Sequence, residues 1–161
     1  MVEFELVEVD LPEGTNVILG QSHFIKTVED VYETIVESGA SIKFGIAFCE
    51  ASMKRLVRSD GNDPQLIKHA EAQAMKIGAG HSFIVFLREG FPINIVNRIQ
   101  NVSEVTSIYA ATANPLKVVI AKDSEQRGIM GVLDGEKPLG IEGEAEKTER
   151  AKFLRDIGYK R

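Results

Sequence analysis

Ile42-Lys43-Phe44-Gly45-Ile46-Ala47-Phe48-Cys49 alternates large apolar side chains with small ones. Ile42, Phe44, Ile46 and Phe48 fall on one side of an extended chain; Lys43, Gly45, Ala47 and Cys49 fall on the other. A period of two is the signature of a strand. The small side lets a helix or a neighbouring chain press close. Ser82-Phe83-Ile84-Val85-Phe86-Leu87-Arg88 is a second strong strand. Between the two, Asp63-Pro64 offers an N-cap followed by a proline at the first helical position. Leu66, Ile67, Ala70, Ala74 and Ile77 continue at helical spacing, and Gly78 ends the helix.

The same two periods extend outward. Residues 2–9 alternate, Pro12-Glu13-Gly14 turns, and Asn16 to Leu19 makes a short strand ending at Gly20. Thr27-x-x-Asp30 resembles a capping box. Val28, Val31, Tyr32, Ile35 and Val36 then follow at helical spacing up to Gly39. A short helix is expected over 94–101, strands over 105–111, 116–121 and 129–133, and a charged helix over 144–157. The expected fold is α/β: a single domain over residues 1–161, with a mixed sheet and flanking helices.

The chain has 161 residues, enough to bury roughly 70% of its extended surface. Its 24 acidic against 19 basic residues give a net charge of −5. Binding to nucleic acid through phosphate neutralisation needs a basic face, so that class is set aside. No apolar run approaches the ~18 residues of a membrane helix. The acidic, alternating start is unlike a signal peptide, and a single cysteine excludes an intrachain disulfide. Cytoplasmic residence is expected.

Four polar clusters fall at strand ends. Gly20-Gln21-Ser22-His23-Phe24-Ile25-Lys26 joins a strand to a helix, where unpaired amides and a lysine favour an anion. It is not a P-loop, because the Gly-x-x-x-x-Gly-Lys pattern is missing. Cys49-Glu50-Ala51-Ser52, with Arg55, Arg58, Asp60, Gly61, Asn62 and Asp63, follows the best strand. There two arginines suit phosphate oxygens, and Asp60 and Asp63 suit a general base or a magnesium ligand. Asp63 is equally a structural N-cap, and Gly61-Asn62 equally a turn. His81 follows Gly78-Ala79-Gly80 at a strand entrance. Asn114, Arg127 and Asp134 complete the set, Asp134-Gly135 being equally a turn. Cys49 on a core strand reads as a small buried hydrophobe rather than a nucleophile. No metal-ligand spacing appears among His23, His69 and His81.

Longer motifs run through these clusters. Asn16 to Asp30, Lys43 to Ser52, Leu56 to Asp63, Gly78 to Phe83, Ile108 to Pro115, Gly131 to Gly135 and Phe153 to Lys160 resemble the adenosine-specific kinase family of archaea and bacteria. The resemblance spans about residues 16 to 160. Met53 departs from it, standing where a glycine or another small residue is expected. The resemblance implies an α/β fold of the family's own, a homo-oligomer (trimer or hexamer), and binding of adenosine, AMP, ADP or ATP. It also implies phosphoryl transfer from ATP to adenosine, with Mg²⁺ expected from that chemistry.

In such a reaction Lys26, Arg58 and Arg127 would supply positive charge. Asp60, Asp63, Asp134 or Glu50 would hold metal or take the 5′-hydroxyl proton. His23, His81 and Asn114 would touch ribose or base, with Gln21, Ser22 and Asn62 beside them. Two other readings stay open: an adenosine or AMP sensor without turnover, and a nucleoside-phosphate phosphohydrolase. Two separated cationic loops, Lys26 and Arg55 with Arg58, lean towards the kinase.

Overall fold

A computed structural model describes residues 1–161. The elements run β1 (Glu3–Val9), β2 (Asn16–Ser22), α1 (Thr27–Ser38), β3 (Lys43–Cys49), β4 (Val57–Gly61), α2 (Pro64–Ile77), β5 (Ser82–Arg88), α3 (Pro92–Gln100), β6 (Val105–Thr112), β7 (Leu116–Asp123), β8 (Gln126–Asp134) and α4 (Glu144–Asp156). The α/β class is as expected. The strands, however, form two sheets rather than one mixed sheet, and every pairing is antiparallel. The larger sheet has the order β4-β3-β5-β2-β6 and the smaller β1-β7-β8.

The alternation on β3 and β5 divides the interior into two cores. Phe44, Ile46, Phe48, Phe83, Val85 and Leu87 face α1 and α3, meeting Val28, Val31, Ile35, Ile95 and Ile99. Ala47, Cys49, Ile84 and Phe86 face the other way. There α2 contributes Leu66, Ala70, Ala74 and Ile77, and the smaller sheet closes the layer with Val7, Val9, Leu116, Val118 and Ile120. α2 is therefore what presses on the small side of β3. A Cβ on Gly45 would collide with the Leu66–Ile67 backbone, so only glycine admits the helix at this depth. Cys49 is buried there, and burial pushes its thiol pKa up.

Two local expectations fail for physical reasons. Residues 57–61, read as loop, form the edge strand β4, which runs back antiparallel to β3 with Phe48 opposite Arg58 and Gly45 opposite Gly61. Thr27 does not cap α1 from outside. It is the first helical residue, fully buried, and its hydroxyl donates to the Phe24 carbonyl at 2.7 Å. Asp30 is occupied by Lys26 instead, at 2.5 Å. No helix is long and apolar enough to cross a membrane.

Candidate functional site

Because β5 lies antiparallel between β3 and β2, the latter two end on the same side of the large sheet. The β2 end delivers His23, Phe24 and Ile25. The β3 end delivers Glu50 and the loop to β4. The entrances to β4 and β5 deliver Arg58 and His81. These side chains enclose a cleft of about 530 Å³.

The backbone that builds the cleft is tightly held. The His81 amide donates to the Cys49 carbonyl at 2.8 Å, and its own carbonyl accepts from the Ser22 amide at 3.0 Å. This fastens the ends of β2 and β3 to the start of β5. His81 pays with a left-handed backbone, φ 66°. Its ring stacks on Phe48, centroids 6.1 Å apart and planes 21° apart. Phe24, half exposed, supplies a second aromatic surface. The loop after β3 is closed by Glu50 twice over. Its amide donates to the Leu56 carbonyl at 3.1 Å, and its carboxylate accepts from the Leu56 amide at 3.0 Å. Met53 and Arg55 inside this loop are also left-handed, at φ 58° and 51°. A glycine would sit more easily at position 53, which accounts for the expectation there and makes Met53 a strained departure from it.

Charge is arranged around the same loop. Arg58 Nε donates to Glu50 Oε1 at 2.6 Å. Hydrogen bonding to the Arg58 guanidinium, with help from the Leu56 amide, holds the Glu50 carboxyl below its ordinary pKa. Glu50 is therefore an ionised clamp rather than a ready proton acceptor. The terminal nitrogens of Arg58 make no bond within the chain. Lys54 lines the cleft and makes no ion pair. It also lines a neighbouring depression of about 610 Å³ between the loop, the end of α2 and the β7–β8 turn. A third depression, about 460 Å³ between α1 and α3, has one apolar lining residue, Val102, and offers a base nothing to stack on.

The expected residues divide sharply. His23, Glu50, Arg58 and His81 meet in the cleft. Ser22 stands just behind it, fully buried, its hydroxyl 2.6 Å from that of Thr27. Since Thr27 spends its proton on Phe24, Ser22 is the donor. Gln21 accepts from the Tyr109 hydroxyl. Lys26 turns away to Asp30, with the buried Glu104 carboxylate 3.9 Å off. Arg127 joins the neighbouring depression, where it donates to the Ile77 carbonyl at 3.0 Å and to Glu5 at 3.1 Å.

The remaining five are carried elsewhere in their own chain. Asp60 follows Arg58 on the same face of β4, roughly 7 Å further from the cleft, and its carboxylate accepts from the Gly61 amide at 2.7 Å. Asn62 bridges the Phe44 amide and the Ile42 carbonyl at the opposite end of the sheet. Asp63 caps α2, accepting from the Gln65 and Leu66 amides at 3.0 and 3.2 Å. Asn114 and Asp134 lie together at one end of the small sheet, where Gly135 donates to the Pro115 carbonyl. The cause is β4: a strand that returns carries residues 60–63 away from the point where a loop would have kept them. Phe24, Met53 and Lys54 line the cleft and were not among the expected site residues.

No group of three or more His, Cys, Asp or Glu side chains is placed to hold a metal ion. What the cleft offers is an aromatic wall, two cationic side chains and two histidines. A family model described as adenosine specific kinase matches residues 7–160. The chain belongs to the adenosine-specific kinase family. The crystal structure of the PH1918 protein from Pyrococcus horikoshii OT3 is similar throughout, with 41% identity and a TM-score of 0.96. That similarity covers 100% of this chain and 99% of that one. No curated protein matches the chain. Within this adenosine-specific kinase fold, the cleft between the ends of β2 and β3 is the place where aromatic and cationic groups meet.

Proposed function

We propose that residues 1–161 form one cytoplasmic domain that binds adenosine and its phosphates in this cleft and transfers the γ-phosphoryl group of ATP to the adenosine 5′-hydroxyl. The observation that carries the reading is the adjacency of the Phe48–His81 stack, the unpaired Lys54 ammonium and the unbonded terminal nitrogens of Arg58. A purine needs a flat apolar surface, and base–aromatic stacking is worth about 1–3 kcal/mol. A phosphate needs multivalent donors, which a guanidinium presents as a fork.

Phe24 and the His81–Phe48 pair hold the adenine. Lys54, lining both the cleft and its neighbour, and Arg58 hold phosphate oxygens across the ridge between them. His23 takes the proton as the 5′-oxygen forms its bond to the γ-phosphorus and the bond from that phosphorus to the ADP oxygen breaks. Mg²⁺ bound with ATP would neutralise charge on the phosphates; Glu50, the carboxylate that lines the cleft, would lend it little, being committed to Arg58 and Leu56. The protein works as a homo-oligomer, a trimer or hexamer.

One observation favours binding without turnover: the only carboxylate in the cleft is this clamped Glu50. Incubation with γ-labelled ATP, Mg²⁺ and single nucleosides separates the two. Labelled AMP formed with adenosine alone supports the kinase. Saturable AMP binding without label transfer supports the sensor.

A further inference from the structure

The last part of the chain is folded but adds nothing to either core and makes no ion pair with the rest of its body. α4 is a thirteen-residue helix with no buried residue. Its ion pairs, Lys147–Glu144, Arg150–Glu142 and Lys152–Asp156, are all internal. Neither core draws a residue from beyond Val132. A helix this short is marginal in water without a surface to pack on. Yet the arm carries Leu139 and Ile141 essentially fully exposed, and Phe153, Ile157 and Tyr159 about half exposed.

A surface lacking a cover exists on the same molecule. An antiparallel sheet with one face on the core normally turns polar residues outward. The β1-β7-β8 sheet does so chiefly at one end, where exposed Glu8 lies opposite exposed Lys117. On its outer side Leu6 pairs with Val119, Phe4 with Ala121 and Leu133 with Lys117. Met130 is the extra residue of a bulge opposite the Val119–Ile120 step. Phe4, Leu6, Met130 and Leu133 are each at least half exposed. Contiguous apolar surface of this kind marks an interaction site.

We infer that the arm, residues 136–161, leaves its own body and packs its apolar side chains on the outer face of the β1-β7-β8 sheet of a second copy. The inference deepens the homo-oligomer reading above and rests on it. The arm is long enough: eight extended residues and the helix reach at most about 45 Å. It supplies apolar side chains where the sheet's apolar face lacks a cover, and its helix buries no residue on its own body. Each copy both gives an arm and receives one, so either reciprocal exchange between two copies or a closed ring satisfies every arm and every sheet.

The test is the mass in solution of the full chain and of a chain ended at Gly135, by light scattering. The truncated body keeps both cores, so its circular dichroism checks folding. The expected result is an oligomeric full chain and a folded, monomeric truncated chain. A monomeric full chain overturns both this inference and the homo-oligomer reading. A truncated chain with the full number of subunits overturns the arm alone. A Leu6→Cys/Phe153→Cys double variant of the full chain, oxidised, decides the docking face. Covalent multimers are expected; an intramolecular bond or two unreacted thiols would overturn it.

Discussion

Glu50 and Arg58 meet across the β3–β4 turn at 2.6 Å, the carboxylate of one fixing the Nε of the other while the terminal guanidinium nitrogens stay unbonded. The pair is a device for aiming a cation. Arg58→Ala should weaken AMP binding by tenfold or more, in line with about 1.5–3 kcal/mol for a charged hydrogen bond. Glu50→Gln, which keeps a shorter-range acceptor for Leu56, should weaken it less. Calorimetry on the two variants reads the ordering, and equal losses would argue against the aiming role.

The same pair sets a pH dependence. The folded-state pKa of Glu50 is depressed, so its contribution to stability is present above the ordinary value of 4.5 and is lost as pH falls through the lowered value. Thermal melts of Arg58→Ala between neutral pH and acid should fall less steeply than those of the natural chain. Parallel curves would show that the Leu56 amide alone holds the carboxylate.

His81 carries opposite demands. Its left-handed φ of 66° favours glycine, while its ring forms part of the aromatic wall. His81→Gly should leave the melting temperature unchanged or slightly higher, the backbone relief being about 1 kcal/mol, and should still impair adenosine binding. A variant that loses stability and binding together would mean that the ring is chiefly a packing group.

Glu104 is nearly fully buried with neither carboxylate oxygen hydrogen-bonded, and burial pushes its pKa above the ordinary 4.5. The folded chain keeps this proton to higher pH than the unfolded chain does. Stability is therefore lost as pH rises from about 4.5 through the folded value. Lys26 and Asp30 are the charged groups that face it. Glu104→Gln should match the natural chain near pH 4 and exceed it at neutral pH in denaturant melts. A loss of stability at neutral pH would show that Lys26 compensates the buried charge.

Gly45→Ala tests the fold itself. The added methyl group meets α2 backbone, not a movable side-chain tip. Overpacking of this kind costs about 1–3 kcal/mol, sometimes more. Urea unfolding should shift by that amount; an unchanged midpoint would mean that α2 is free to slide.

Much of this architecture was legible in alternation and caps. Ile46 and Phe48 declared β3, and Asp63-Pro64 declared the start of α2. β4 was not legible, because Val57-Arg58-Ser59-Asp60-Gly61 has one large apolar residue; as an edge strand it needs no second buried face. Its return is what separates Arg58 from Asn62 and Asp63. The division into two sheets was equally hidden, since alternation tells a strand its faces but not its neighbours. His23, Glu50, Arg58 and His81 were found because loop polarity at strand ends is a local signal. Lys54 was missed because what distinguishes it, a position lining both depressions without an ion pair, arises only in three dimensions.

The most direct measurement of the central claim is calorimetric titration of AMP into the natural chain and into Arg58→Ala and Lys54→Ala, with GMP as the control purine. The account predicts saturable AMP binding to the natural chain, weaker binding of GMP, and a loss of tenfold or more in each variant, with the fold of both retained by circular dichroism. Undiminished AMP binding by both variants, or none by the natural chain, would contradict it.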